Sequence, residues 1–155
     1  METVWEQLHA RRESAEGSPC IVIGRDSCGD LTEALRREWL VTNGLGGFAA
    51  GSLAGCNTRR YHGLLCAALN PPVGRTLLLA GLDVVATYQG VRYELACHEF
   101  GDGTVHPHGY RFIESFAIES GVPTWTFALG DALLARRIWM ARDRNTTYVM
   151  FTLLR

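Results

Sequence analysis

The sequence predicts an all-β protein, a sandwich of mostly antiparallel strands with a short N-terminal helix. Three observations carry this reading. Val91, Tyr93, Leu95 and Cys97 alternate with Arg92, Glu94, Ala96 and His98, which is the period of a half-buried strand. Tyr110, Phe112, Glu114, Phe116 and Ile118 repeat the pattern, and so do Trp125, Phe127 and Leu129. Turn residues cut these runs at short intervals, at Gln89-Gly90, Gly121-Val122-Pro123 and Gly130-Asp131, and several strands so spaced point to a sandwich.

Taken in order, residues 2–13 form an amphipathic pattern through Val4, Trp5 and Leu8, and residues 14–19 read as loop. Residues 1–19 are therefore expected to be a flexible or helical arm, and residues 20–155 the β-sandwich domain. Cys20 to Ile23 is a strand candidate. Asp30-Leu31-Thr32-Glu33 resembles a capping box that opens a short helix. The run from Leu77 to Tyr88 is expected to pair with the run from Val91, with Gln89-Gly90 as the hairpin turn. Ala132 to Arg142 favours helix by propensity, but its strand neighbours and short turns make it a strand. Thr146 to Leu154 is apolar on both faces and is expected inside a sheet. The sequence stops at Arg155, directly after this run, so the expectation is a domain cut before a further one.

Size and charge exclude several classes. A chain of 155 residues fits one domain, and 47% hydrophobic with 20% charged residues is a globular balance. A net charge of −1 gives no nucleic acid footprint, which needs clustered excess cation. All 15 basic residues are arginine, which reads first as compositional bias. No apolar run is long enough for a membrane span, and there is no signal-peptide pattern. Cys20, Cys28, Cys56, Cys66 and Cys97 are odd in number and lack C-x-x-C spacing, as expected of a reduced cytoplasmic protein.

The most informative stretch is Glu38 to Leu65. It is dense in glycine, ends in Thr58-Arg59-Arg60-Tyr61-His62-Gly63, and is followed by no acid until Asp83. Gly44-x-Gly46-x-x-Ala49 imitates a dinucleotide fingerprint, but no acid lies about 20 residues on to hold a ribose. Gly46 to Ser52 imitates a phosphate loop with Ser52 in the lysine position. Ser52 and His62 lack an orienting acid and a nucleophile elbow. Cys97, His98, His106 and His108 could supply metal ligands, yet Pro107 and the glycines around them read as a long turn. Glycoside hydrolysis needs two flanking carboxyl groups, and Glu94, Glu99, Asp102, Glu114 and Glu119 show no spacing that selects a pair. No catalytic residue, metal or cofactor is therefore expected. Arg59, Arg60 and His62 could donate to sugar hydroxyls with Tyr61 as a stacking face, or could pair structurally with distant acids.

Glu38-Trp-Leu-Val-Thr-Asn43, Gly46-Gly47, Gly51-Ser52, Gly55 and Thr58-Arg-Arg-Tyr-His-Gly-Leu-Leu65 resemble the N-terminal domain of bacterial and archaeal glycogen debranching enzymes, the amylo-α-1,6-glucosidases. The similarity continues through Pro72-x-Gly74-Arg75, His106-Pro107-x-Gly109-Tyr110, Ser115-Phe116, Trp139-Met140 and Asn145-Thr-Thr147. The resemblance implies a β-supersandwich placed before an (α/α) six-hairpin toroid that carries the catalytic acids. It implies an accessory role, packing on that toroid and shaping a cleft for glycogen or branched dextrin. The motif positions Asn43, Gly46, Gly47, Arg59, Arg60, Tyr61 and His62 would then contact substrate or the partner domain. A free-standing carbohydrate-binding module and a purely structural sandwich are the alternatives. If the toroid is missing, an apolar face is left uncovered and the chain is expected to self-associate.

Overall fold

Buried tryptophans from two different sheets meet at the centre of the molecule. In the computed structural model, which describes residues 21–155, the ring of Trp39 packs edge-on against Trp125 at 5.3 Å, and Phe116 packs on Trp125 at 4.9 Å. Trp125 Nε1 donates to Leu53 O at 2.9 Å, so the indole is both packed and satisfied. Ile113, Phe127, Ile138 and Met140 complete this core. The helix expected over residues 2–13 lies outside the described residues.

The elements in chain order are β1 (Ile21–Gly24), α1 (Arg25–Cys28), α2 (Leu31–Arg36), β2 (Glu38–Thr42), β3 (Phe48–Ser52), β4 (Gly63–Asn70) and β5 (Val73–Leu79). There follow β6 (Val85–Tyr88), β7 (Val91–Glu94), a 3₁₀ turn (Gly109–Phe112), β8 (Ile113–Glu119), β9 (Val122–Leu129), β10 (Ala132–Met140) and β11 (Thr147–Leu153). Two antiparallel sheets, ordered β1-β8-β9-β10-β11 and β2-β3-β4-β5, pack face to face through β2 and β3 against β9 and β10. The fold is thus an all-β sandwich, with β6-β7 as a separate hairpin.

Local chemistry explains several of these elements. Asp30 caps α2 by accepting the Glu33 N–H at 3.0 Å. Gln89 and Gly90 turn with φ of 48° and 78°, the two-residue geometry that matches strand twist, and Ser120-Gly121 does the same between β8 and β9 with 50° and 77°. The ambiguous stretch is strand from Ala132 to Met140, where β9 and β11 pair with it on either side, and Ala141 and Arg142 lie beyond its end.

Four expectations are corrected. The run Leu77 to Tyr88 is not one strand: Leu77–Leu79 end β5 in one sheet, and pairing resumes only at Val85 in the hairpin. Tyr110 and Phe112 sit in the 3₁₀ turn, not in the strand that follows. The β8–β9 turn is Ser120-Gly121, and Val122 and Pro123 already belong to β9. Finally, β11 is the edge strand of its sheet rather than an interior one, and Phe151, Leu153 and Leu154 are exposed.

Candidate functional site

Alternation along β2 sends Trp39 and Val41 into the core and leaves Glu38, Leu40 and Thr42 exposed on the outer face of the four-stranded sheet. Register places Leu40 opposite Ala50 and Thr42 opposite Phe48. These residues floor two shallow depressions that share Leu40 and Phe48. One, of about 430 Å³, is walled by Arg59, Arg60, Tyr61 and His62, with Glu38 at its margin. The other, of about 470 Å³, is bounded by Gly44, Gly46, Gly47 and Arg75. Six of the seven candidate positions thus line one surface, and the seventh, Asn43, lies beneath it.

Asn43 is the hub of the glycine loop. It is 1% exposed, and its Oδ1 accepts the N–H groups of Leu45 at 2.9 Å and Gly47 at 3.0 Å. Its Nδ2 donates to Arg144 O at 3.0 Å and to Asn145 Oδ1 at 2.9 Å. Every polar atom of the side chain is therefore engaged within the protein. Gly46 has φ of +92°, and a Cβ there would lie 2.7 Å from Pro72 O. At Gly47 a Cβ would lie 2.7 Å from Asn43 Nδ2. The close approach that glycine permits here is to the protein's own chain.

The arginine string is arranged around one acid. Arg59 Nε pairs with Glu38 Oε1, and His62 Nε2 lies 3.7 Å from the same oxygen. His62 is 4% exposed, and its Nδ1 accepts the Thr58 N–H at 3.1 Å, which puts the ring proton on Nε2, facing Glu38. Burial pushes the His62 pKa down, Glu38 opposes this and Arg59 adds to it, so the imidazole is neutral at pH 7. His62 and Arg59 also close the turn through the bond from His62 N–H to Arg59 O at 3.0 Å. Arg60 instead lies over the Tyr61 ring at 5.4 Å, and Tyr61 is 45% exposed. At the far end, Arg75 donates from Nε to Gly46 O at 3.0 Å and lies 6.0 Å from the Phe48 centroid.

Chemically, this surface offers aromatic faces, guanidinium donors and one carboxylate that is already ion-paired. Among the described residues Glu38 is the one acid lining either depression, so they do not assemble there the pair of carboxyl groups that glycoside hydrolysis requires. Leu40, Phe48 and Arg75 belong to the surface without having been singled out as site residues. For Leu40 and Phe48 the signal was available as exposed-face positions in a strand pattern. Among the described residues no histidine, cysteine and carboxylate group has the clustering of a metal site. His106 and His108 lie 6.0 Å apart in an edge contact instead. The described cysteines, Cys28, Cys56, Cys66 and Cys97, are buried free thiols. No described helix is long and apolar enough to cross a membrane.

No curated protein and no solved structure matches the chain. A family model described as glycogen debranching enzyme N terminal matches residues 37–155, which takes in β2 to β11 and both depressions. That match spans most of the sequence, and the chain belongs to the glycogen debranching enzyme N-terminal family.

Proposed function

We propose that the chain is a non-catalytic accessory domain for debranching glycogen-like α-glucans, whose α-1,6 branch points are hydrolysed by an (α/α) toroid domain in the cytoplasm. The outer face of the four-stranded sheet packs on that toroid and forms part of the cleft rim. Arg60 and Tyr61 meet the glucan, while Asn43, Gly46, Gly47, Arg59 and His62 hold the rim in shape. The observation that carries this reading is the surface over Leu40 and Phe48, rich in donors and aromatic faces and holding a single, neutralised acid. Aromatic faces stack on sugar rings, and guanidinium forks donate to hydroxyls.

The 155-residue chain should release no glucose from branched dextrin, and should be retarded in a native gel containing glycogen. Arg60→Ala and Tyr61→Ala should each weaken that retardation about tenfold, close to 1.4 kcal/mol. Hydrolysis by the chain alone, or retardation unchanged in both variants, would overturn the reading. The exposed Tyr61 also suits a free-standing carbohydrate-binding module. In that case toroid added in trans gains no activity from the domain, whereas an accessory domain raises it. A purely structural sandwich would show a lower Tm for Arg59→Ala and no glycogen retardation at all. Exposed Leu77, Leu78 and Leu79 on the edge strand β5 further lead us to propose self-association of the isolated chain. Sedimentation of a strict monomer would refute that part.

A further inference from the structure

Arg136 stands apart from the other arginines of the strands. It occupies the middle of β10, opposite Trp125 on β9 and Phe151 on β11, on the face that carries the buried Ile138. Its neighbour Arg137 points the other way and pairs with Glu119 at 3.6 Å. The Arg136 guanidinium instead lies 4.3 Å from the Trp125 ring centroid and 5.2 Å from that of Phe127. Its Nε is sealed from solvent and has no hydrogen-bond partner, and among the described residues Arg136 forms no ion pair. Burial pushes its pKa down to about 10, so it remains a cation at neutral pH.

The side chain lines a cavity of about 70 Å³ between the sheets, whose wall also carries Trp39, Ser52, Asn57 and Phe151. Ser52 Oγ is spent on Cys56 O at 2.7 Å and Asn57 Nδ2 on Ala80 O at 2.9 Å. Among the described residues Asp83 is the one carboxylate of the lining, and it is held at 2.9 Å by His98 Nε2. The guanidinium is half-buried with its Nε sealed and, among the described residues, no anion is paired with it, an arrangement that costs stability unless a counter-charge arrives. The guanidinium lies over the Trp125 ring, and its planar fork suits a two-oxygen acceptor. The space is larger than a single water needs and admits a small polyatomic anion.

We propose that this cavity is an oxyanion site, taking a carboxylate or phosphate group in a two-point contact with Arg136. The group comes either from a small free anion or from an acidic side chain of a protein that docks at the cavity mouth, where Leu82 and Phe151 are exposed. This site lies between the sheets and stands independently of the glucan surface on the outer face of β2–β5.

The test uses the whole chain in a chloride buffer at constant ionic strength, titrated with inorganic phosphate, with acetate, and separately with a short glutamate-containing peptide. Tm and Trp fluorescence are read at each point. Wild type should rise in Tm with at least one of these probes and show a saturable change in fluorescence. Arg136→Met should bind at least tenfold more weakly, and should be as stable as wild type or more so without anion, because it removes an uncompensated charge. Response to phosphate or acetate assigns a free anion, and response to the peptide alone assigns a protein carboxylate. Arg136→Lys keeps the charge without the fork and should lose at least threefold in affinity, which keeps the test decisive if Arg136→Met does not fold. Silence of wild type to all three probes, or equal responses in wild type and Arg136→Lys, would overturn the proposal.

Discussion

Replacing Asn43 by alanine tests whether the glycine loop is held by protein contacts. The substitution removes an acceptor for two backbone N–H groups, those of Leu45 and Gly47, and a donor to Arg144 O and Asn145 Oδ1. Gly47 N–H is in the buried part of the network, so orphaning it costs about 2 kcal/mol. The other three bonds are part-buried, and each contributes about 0.5–1 kcal/mol. The expected loss is about 4 kcal/mol, a large share of the roughly 5–15 kcal/mol that holds a domain together. At about 2–4 °C per kcal/mol for a chain of this size, Tm should fall by about 8–16 °C. Urea unfolding with calorimetry measures both. Asn43→Asp is the informative companion, because it keeps the acceptor for the two N–H groups but sets a carboxylate against Asn145 Oδ1. A loss below about 1 kcal/mol for Asn43→Ala would refute the claim that this side chain organises the loop.

Three other outcomes follow from the same contacts. Gly46→Ala places a Cβ 2.7 Å from Pro72 O at a φ of +92°, and since both obstacles are backbone it should cost about 2–4 kcal/mol by urea midpoint. Trp125→Phe loses the bond to Leu53 O and part of the edge contact with Trp39, and should cost about 3 kcal/mol by the same measurement. His62 has a folded pKa below its unfolded value, so between the two the unfolded chain binds more protons and stability rises with pH. Its contribution is complete above about pH 6.5 and is lost as pH falls through the depressed folded value. Urea midpoints at pH 7.5 and 5.5 should show this loss in wild type, and His62→Gln should reduce it.

What the sequence made legible was local. The Asp30 cap, the Gln89-Gly90 turn and the inward row Trp125, Phe127 and Leu129 each depend on residues within a few positions. What it hid depends on sheet order. β11 looked interior because both its faces are apolar, yet its place at the edge is set by which strands take the other positions. The run Leu77 to Tyr88 kept one composition while passing from one sheet to a separate hairpin. Asn43 stood out as a motif residue, but its Nδ2 partners lie 101 and 102 positions away. Arg136 was readable in principle, because period-two alternation from Ile138 puts it on the core-facing side of β10. A cation at that position in a strand marks either a hidden partner or a site.

The candidate surface is built so that both sheets set its shape. Asn43 receives the glycine loop from one side and grips the turn between β10 and β11 from the other, since Arg144 and Asn145 belong to the opposing sheet's connection. Asn145 then donates to Ala68 O on β4, and Asp143 N–H donates to Asn43 O. The loop lining one depression therefore cannot move without disturbing the contact between sheets. The other depression is held differently, by a charge. Glu38 is shared between Arg59 and His62, which fixes the turn and at the same time occupies the only acid there among the described residues. Both contacts fall on Oε1, and among the described residues no second carboxyl group lines the depression to form the pair that glycoside cleavage demands. The arrangement does leave Arg60 and Tyr61 projecting from a rigid base, the condition under which donors and a ring face recognise a partner without the cost of being ordered first. A surface that is stiff, donor-rich and poor in free carboxylate is what the proposed role of holding a glucan or a neighbouring domain calls for.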